Sequence, residues 1–239
     1  MGVNVSVSSL QRAFACTAST VLPRNPDTRG AAAARGDLIH AVIASELRGW
    51  ERPDTGRYRL KYDMDVLREA VGTGILLCEL AMAYDGTAVE VLGENIGRDY
   101  KRPAALCGSA DIVVIDGKHA RVIDIKTGSL PVPSPLDNWQ ISALALFVSL
   151  FFEVDSVTGV IAKLERDGSW QFDSARFTAD ALASVKKRLD ERRALWAIAE
   201  EAMQSGWGVE PTPSTSCRFC RCQCPHADAK TYPVNQEAA

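Results

Sequence analysis

An acid and an amine stand two residues apart in Ile123-Asp124-Ile125-Lys126-Thr127-Gly128, and a second acid, Asp111, closes the run Gly108-Ser109-Ala110-Asp111 upstream. In an extended chain side chains alternate between faces, so Asp124 and Lys126 share one face while Ile123, Ile125 and Thr127 take the other. Carboxylates gathered beside a lysine are the ingredients of a divalent-metal hydrolytic site. Asp111 opens a β-branched run, Ile112-Val113-Val114-Ile115, and Asp116-Gly117 followed by Lys118-His119 is a hairpin signal. A tight hairpin makes the two strands neighbours and brings Asp111 and Asp124 toward a common ion. Magnesium accepts a few carboxylate oxygens, a backbone carbonyl such as that of Ile125, and several waters. Such an ion polarises a phosphoryl oxygen and acidifies a water it holds, which Lys126 would orient while offsetting charge on the phosphate.

These residues resemble the Gly-x-x-Asp, Asp-x-Lys-Thr-Gly and Gln-x-x-x-Tyr pattern of the PD-(D/E)XK nuclease superfamily, in particular its RecB-like branch. Upstream, Ala34-Arg35-Gly36-Asp37-Leu38-Ile39-His40 is similar to the branch's Gly-x-x-x-His helix, which implies His40 as a further metal ligand. Gly36, one turn earlier, would leave room for the metal-bearing strand. Leu77-Cys78-Glu79-Leu80 resembles the first core strand and implies a catalytic role for Glu79. Gln140, opening an apolar helix after Asn138-Trp139, matches the last motif, but Leu144 stands where that motif has tyrosine. The resemblance implies a Mg2+- or Mn2+-dependent deoxyribonuclease, an exonuclease or processor of single strands and ends in recombination, repair or phage and mobile-element DNA metabolism. Its metal ligands would be His40, Asp111, Asp124 and the Ile125 carbonyl, with Glu79, Lys126 and Gln140 assisting.

Cysteine placement is the second signal. Of seven cysteines, four crowd into Cys217-Arg-Phe-Cys220-Arg-Cys222-Gln-Cys224, and Cys16 lies near the other end. One early and three late cysteines resemble the CRISPR-associated and helicase-linked nucleases of the same branch, which implies a 4Fe-4S cluster held by four thiolates. The implied set is Cys16, Cys217, Cys220 and Cys224, with Cys222 as the alternative to Cys224. Zinc is the rival occupant, since four cysteines hold it equally well. Cys78 and Cys107 read as small buried thiols.

A chain of 239 residues, 46% of them hydrophobic, can bury one sizeable core. The first residues lack a basic segment followed by a long apolar one, and the apolar run 141–152 is far short of the roughly 20 residues of a membrane span. A cytoplasmic protein with reduced cysteines is the expectation. A net charge of −3 argues against a general nucleic-acid coat, though not against a locally basic cleft. Candidate phosphate contacts are Arg24, Arg29, Arg35, Arg98, Lys101, Arg102, Lys186, Lys187 and Arg188; the late trio equally fits the solvated face of a helix. A helicase or an annealing protein is a conceivable partner alongside DNA, since the chain has no phosphate-binding Gly-Lys-Ser loop of its own.

The elements that must position these residues follow from periodicity. Ser8-Ser9 suggests a cap for a short helix reaching Cys16. Residues 31–47 read as a helix with Ile39, Val42, Ile43 and Leu47 inward and His40 at the edge of that stripe. A helix is expected over 64–71, strands near 75–84, 108–116 and 120–126, and an extended piece within 90–105. Three prolines break the chain before the Gln140 helix. Strands at 157–164 and 169–172 flank Asp167-Gly168, and a long helix covers 179–204 with Leu182, Val185, Leu189 and Trp196 inward. Periodicity alone gives a mixed α/β domain. The resemblance implies a restriction-endonuclease-like core, with helix, three-stranded mixed sheet beginning antiparallel, helix and strand, plus helical additions and a C-terminal cysteine cluster. The expectation is a single domain over 1–239, its core at about 30–175, with the Cys16 helix and 205–226 forming the cysteine subregion. A binding or assembly module descended from such a nuclease, one that does not cut, is the alternative, and the intact acids and lysine argue against it.

Overall fold

β-branched runs punctuated by Gly and Asp build one mixed sheet. The computed structural model describes residues 5–226, apart from 27–29, 57, 98–101, 103 and 129. Among the described residues the strands are β1 (Val5–Ser6), β2 (Ile75–Tyr84), β3 (Val89–Glu94), β4 (Leu106–Asp116), β5 (His119–Lys126), β6 (Ser156–Leu164) and β7 (Trp170–Phe177). They lie in the order β3-β2-β4-β5-β6-β7, with β1 added in parallel to the start of β4. β2 pairs antiparallel with β4 and β4 antiparallel with β5, whereas β5 pairs parallel with β6. A parallel pair needs a crossover, supplied here by a helix.

That crossover is α4 (Trp139–Phe152), whose residues 141–148 are all buried. Its apolar length is explained by its place between the sheet and two further helices, α1 (Leu10–Ala15) and α5 (Ala179–Gln204), which share its core. α5 buries Leu182, Leu189 and Trp196, with Val185 half-buried against the same core. On the opposite face α2 (Ala31–Arg48) and α3 (Met64–Val71) pack Ile39, Ile43, Leu67 and Val71 onto Ile112, Val114, Ile123 and Ile125. α2 closes at Gly49 with φ 68°, the left-handed cap position that favours glycine. Asp63 caps α3 by accepting the amides of Asp65 and Val66. Among the described residues no helix is long and apolar enough to cross a membrane.

The order of α2, β2, β4, β5, α4 and β6 is the restriction-endonuclease-like core expected from the sequence. Two local expectations change and a third becomes specific. Ser9 does not cap α1: its hydroxyl donates to the Ser6 carbonyl at 2.8 Å, because residues 7–9 already coil as a 3-10 turn ahead of the helix. β7 runs to Phe177 and not to residue 172, since as an edge strand it exposes Gln171, Asp173 and Ser174 and so shows little apolar alternation. The extended piece after residue 89 is β3, an antiparallel partner of β2.

The alternation of faces breaks in two places. On β2, Leu76 and Cys78 face the α2 side, yet Leu80, Met82 and Tyr84 face the α4 side. On β4, Ala110 faces α4 and Ile112 faces α2. Even-numbered neighbours share a face in a regular strand, so both strands swap faces, β2 at Glu79 and β4 at Asp111. Glu79 absorbs the change with φ 50°, a left-handed conformation costly for a residue with a Cβ.

β4 also divides its outer edge. Residues 112–116 pair with β5, residues 106–107 pair with β1, and 108–111 lie between the two. Directly after β1, Val7 packs onto Gly108 so closely that a Cβ there would sit 2.6 Å from the Val7 Cβ. Gly108→Ala is therefore expected to cost about 1–3 kcal/mol by overpacking, read as a lowered urea midpoint at unchanged slope.

Candidate active site

The gap left between β1 and β5 on the edge of β4 is where the polar residues converge. Asp111 Oδ2 accepts the Ile125 amide at 2.6 Å, so the carboxylate takes over where backbone pairing of β4 with β5 ends at Ile112–Ile123. Its other oxygen, Oδ1, lies 3.2 Å from His40 Nδ1. His40 Nδ1 is also 4.0 Å from Glu79 Oε1. One ligand atom from each of His40, Glu79 and Asp111 falls within 4.8 Å of the others, a spacing that suits one small cation. The face swaps on β2 and β4 occur at the two acids of this trio.

Asp124 is directed elsewhere. Its Oδ1 accepts Gln140 Nε2 at 2.7 Å, and its Oδ2 lies 2.6 Å from Lys126 Nζ, which in turn donates to Gln140 Oε1 at 3.1 Å. Asn138, accepting the Gln140 and Ile141 amides, fixes the start of α4 and with it the glutamine. The Lys126 ammonium is thus the charged partner of a carboxylate that is itself buried. A buried carboxylate is costly unless a cation stands beside it, and here Lys126 is that cation.

The charges record the same demand. Burial alone would lower the His40 pKa, but Asp111, Glu79 and Asp124 overcome it and raise it to about 9. Burial and the neighbouring Asp111 push Asp124 up to about 6 against the pull of Lys126. Asp111 moves the other way: burial opposes ionisation, and His40 and Lys126 outweigh it. Lys126 is raised despite burial because Asp124 stands beside it. Three carboxylates thus share the positive charge of one lysine and a protonated histidine, and a divalent ion would supply what the histidine proton supplies without it. Imidazole and carboxylate donors fit such an ion.

His40, Glu79, Asp111, Lys126 and Gln140 line one cleft of about 450 Å³, with Asp124 buried behind Lys126 and Gln140, and the cleft also exposes Asp37, Asn95, Gly97 and the 3-10 turn at Val7 and Ser8. Asp37 lies three residues before His40, on the same helix face, a spacing legible in the sequence. Asn95 and Ser8 arrive through tertiary contacts and carry no local signal. Gly36 stands where expected: a Cβ would lie 3.0 Å from Thr127 Oγ1, at the end of β5. Ile125 enters through its amide.

The proposed phosphate contacts are scattered. Arg24 donates to the Ser19 carbonyl, Arg102 pairs with Glu90 at 3.6 Å, Lys186 with Asp190 at 2.7 Å and Lys187 with Glu191 at 3.9 Å. Arg188 lies 4.3 Å over the Trp139 ring. The stretch on α5 thus behaves as a solvated helix face tied to its neighbours. Arg29, Arg98 and Lys101 lie outside the described residues.

Away from the cleft, Cys16, Cys217, Cys220, Cys222 and Cys224 line one small hollow together with Arg12. The backbone closes it: Asn25 N–H donates to Arg221 O and Gln223 N–H to Pro23 O, both at 2.8 Å. Amides of Thr212 and Ser214 donate to the sulfurs of Cys16 and Cys217, each at 3.3 Å. The Cys222 thiol donates to Ser19 O at 3.4 Å, and burial with the adjacent Cys220 pushes its pKa up to about 11. Arg12 Nε is buried in the same place with no hydrogen-bond partner, which suits an anionic occupant.

A family profile described as the PD-(D/E)XK nuclease superfamily matches residues 4–225. The chain belongs to that superfamily, whose enzymes use divalent metals. Two solved structures are similar to it at low identity. A protein from Eubacterium rectale named as a candidate exonuclease is 14% identical, with 97% of this chain and 91% of that one covered and a TM-score of 0.46. The protein SSO0001 is 16% identical, with 82% and 71% covered and a TM-score of 0.40. No curated protein matches the chain in sequence.

Two outcomes follow from the geometry. An ion that takes His40 as a ligand must expel its proton, so Mn2+ titrated calorimetrically at pH 7 in buffers of different ionisation enthalpy should release about one proton per ion. Affinity should rise as pH climbs toward 9, because the folded-state histidine proton competes below that value. Glu79→Gly should exceed Glu79→Ala in ion-free stability by about 1 kcal/mol in denaturant melts, since only glycine adopts the left-handed conformation without strain.

Proposed function

We propose that this chain is a Mg2+- or Mn2+-dependent deoxyribonuclease of the RecB-like branch, acting on single strands or ends. The observation that carries the reading is the convergence of His40, Glu79 and Asp111 beside the Asp124–Lys126–Gln140 network in an open cleft. His40, Asp111, Asp124 and the Ile125 carbonyl would hold the ion. When bound, it supplies positive charge to a phosphoryl oxygen and lowers the pKa of a coordinated water. Lys126, held beside Asp124 and Gln140, would orient the attacking water and offset charge on the phosphate. Gln140 holds the lysine by one amide atom and Asp124 by the other, so both keep their positions as charge redistributes. Glu79 accepts a proton or anchors a water at the cleft wall.

In this reading residues 1–239 act as one nuclease domain with its core at about 30–175, and the gathered cysteines hold a 4Fe-4S cluster as a staple between the two ends of the chain. Cys16, Cys217, Cys220 and Cys224 are the favoured ligands, because the Cys222 thiol is already committed as a donor. Zinc is the competing occupant. Recombination, repair or mobile-element DNA metabolism is the setting such an activity suits, and a helicase or annealing protein would supply unwound strands.

End-labelled single- and double-stranded DNA, incubated with anaerobically purified protein and Mg2+ or Mn2+, tests the chemistry. Wild type should cut, Asp124→Ala and Lys126→Ala should lose at least about 100-fold in rate, as removal of a group acting on the transition state does. Uncut but bound DNA would instead support a non-cleaving binding module. In the same preparations iron and sulfide with a brown absorbance are expected, lost with solubility in Cys217→Ala; zinc in a colourless wild type would replace the iron assignment.

A further inference from the structure

The row of side chains that carries Asp124 and Lys126 continues across the sheet beyond β5. In the parallel pairing of β5 with β6, Asp124 lies beside Ile161 and Lys126 beside Lys163. In the antiparallel pairing of β6 with β7, Ile161 lies beside Asp173 and Lys163 beside Gln171. Paired residues in adjacent strands share a face, so Lys126, Lys163 and Gln171 form one line and Asp124, Ile161 and Asp173 the next, both on the α4 side. With strands about 4.8 Å apart, Lys163 begins one strand spacing from the lysine of the cleft and Gln171 two.

The segment that leaves β5 for α4 lies over this line. Leu130 and Val132 from that segment, with Ile161, Lys163, Gln171 and Asp173 from the strands, are among the residues lining an open hollow of about 270 Å³. Its composition is graded. Apolar walls come from Leu130, Val132 and Ile161, a cation sits on the side toward Lys126, and an amide with a carboxylate stands on the side toward the sheet edge. Lys163 Nζ is held 2.6 Å from Glu165 Oε1, just past the end of β6, which leaves donors of the ammonium for another anion.

A nucleotide has the same three parts in the same order: a phosphate, the apolar faces of a base, and a hydrogen-bonding edge. We propose that this hollow is a nucleotide subsite, taking the base of the nucleotide next to the scissile phosphate. Lys163 contacts that nucleotide's phosphate, Leu130, Val132 and Ile161 pack on the base, and Gln171 and Asp173 hydrogen-bond to its edge. The inference rests on the nuclease reading for the direction of the strand, and on the hollow itself for the ligand. It gives the enzyme a grip on single-stranded substrate independent of the tyrosine position that Leu144 occupies.

The test uses single-stranded oligonucleotides, intact or carrying one abasic site at successive positions, with wild type, Lys163→Gln and Asp173→Trp, the last filling the hollow from an exposed edge-strand position. Wild type should lose about tenfold in kcat/KM at one abasic position beside the cut, the size expected of one well-packed base. Asp173→Trp should lose a similar factor on intact DNA and nothing further on that abasic substrate. Lys163→Gln should weaken cutting while leaving the abasic effect in place. An abasic effect undiminished in Asp173→Trp, or an unchanged rate on intact DNA, overturns the proposal. Binding of a labelled ten-nucleotide strand, intact or abasic, separates the two failures. If wild type cuts nothing, tighter binding of the intact strand that Asp173→Trp abolishes keeps the subsite and removes the nuclease. Equal binding of both strands removes the subsite.

Discussion

The Asp111 carboxylate holds two strands together at the point where they part. Backbone pairing of β4 with β5 ends at Ile112–Ile123, and two residues further along β5 the Ile125 amide is taken by Asp111 Oδ2. That bond satisfies a buried donor, keeps β5 in register as it diverges, and turns the second carboxylate oxygen to His40. A hydrogen bond from a backbone amide to a charged group contributes about 1.5–3 kcal/mol, and its loss would also leave the amide buried without a partner. The cleft, the spacing of the trio and the path of β5 into Asp124 and Lys126 all depend on this fork.

Around the fork the protein concentrates negative charge in an apolar sheet. Such an arrangement is unfavourable in itself, and its cost appears as a histidine that keeps its proton to about pH 9 and an aspartate that resists losing its own until about pH 6. Gln140, fixed by the Asn138 cap, is the neutral spacer that keeps acid and lysine from drifting apart. Glu79 adds strain to charge, since β2 reaches the site only by turning over at a left-handed residue. Strain and unbalanced charge kept at one place, within an otherwise well-packed sheet, are the mark of a site built to receive something.

The ends of the chain serve the same place indirectly. β1 and Val7 form one wall of the cleft through Gly108, and the helix that follows, α1, leads to Cys16. Pairing of residues 23–25 with 221–223 brings the late cysteines to that helix, so the cysteine hollow is tied through the backbone to the same wall. On the far side, Arg188 over Trp139 and the stacking of Trp139 on Phe14 at 3.7 Å tie α5 and α1 to the first turn of α4, next to Gln140.

Local spacing determined a large part of this protein. The β-branched runs, the Asp116-Gly117 turn and the two-residue interval from Asp124 to Lys126 dictate a hairpin with acid and amine on one face, and the Ile39, Val42, Ile43 stripe dictates a helix that turns His40 to its margin. These are short-range consequences of backbone periodicity, and periodicity survives in sequence. Only the tertiary structure decided which acids converge. Glu79 and Asp111 meet His40 because two strands change face at those residues, and Asp124 turns to Lys126 and Gln140 because α4 docks over the end of β5. The length of β7, the hollow beside Lys163 and the gathering of five cysteines likewise depend on contacts between segments tens to hundreds of residues apart, where sterics and charge choose among partners that a linear pattern leaves equivalent.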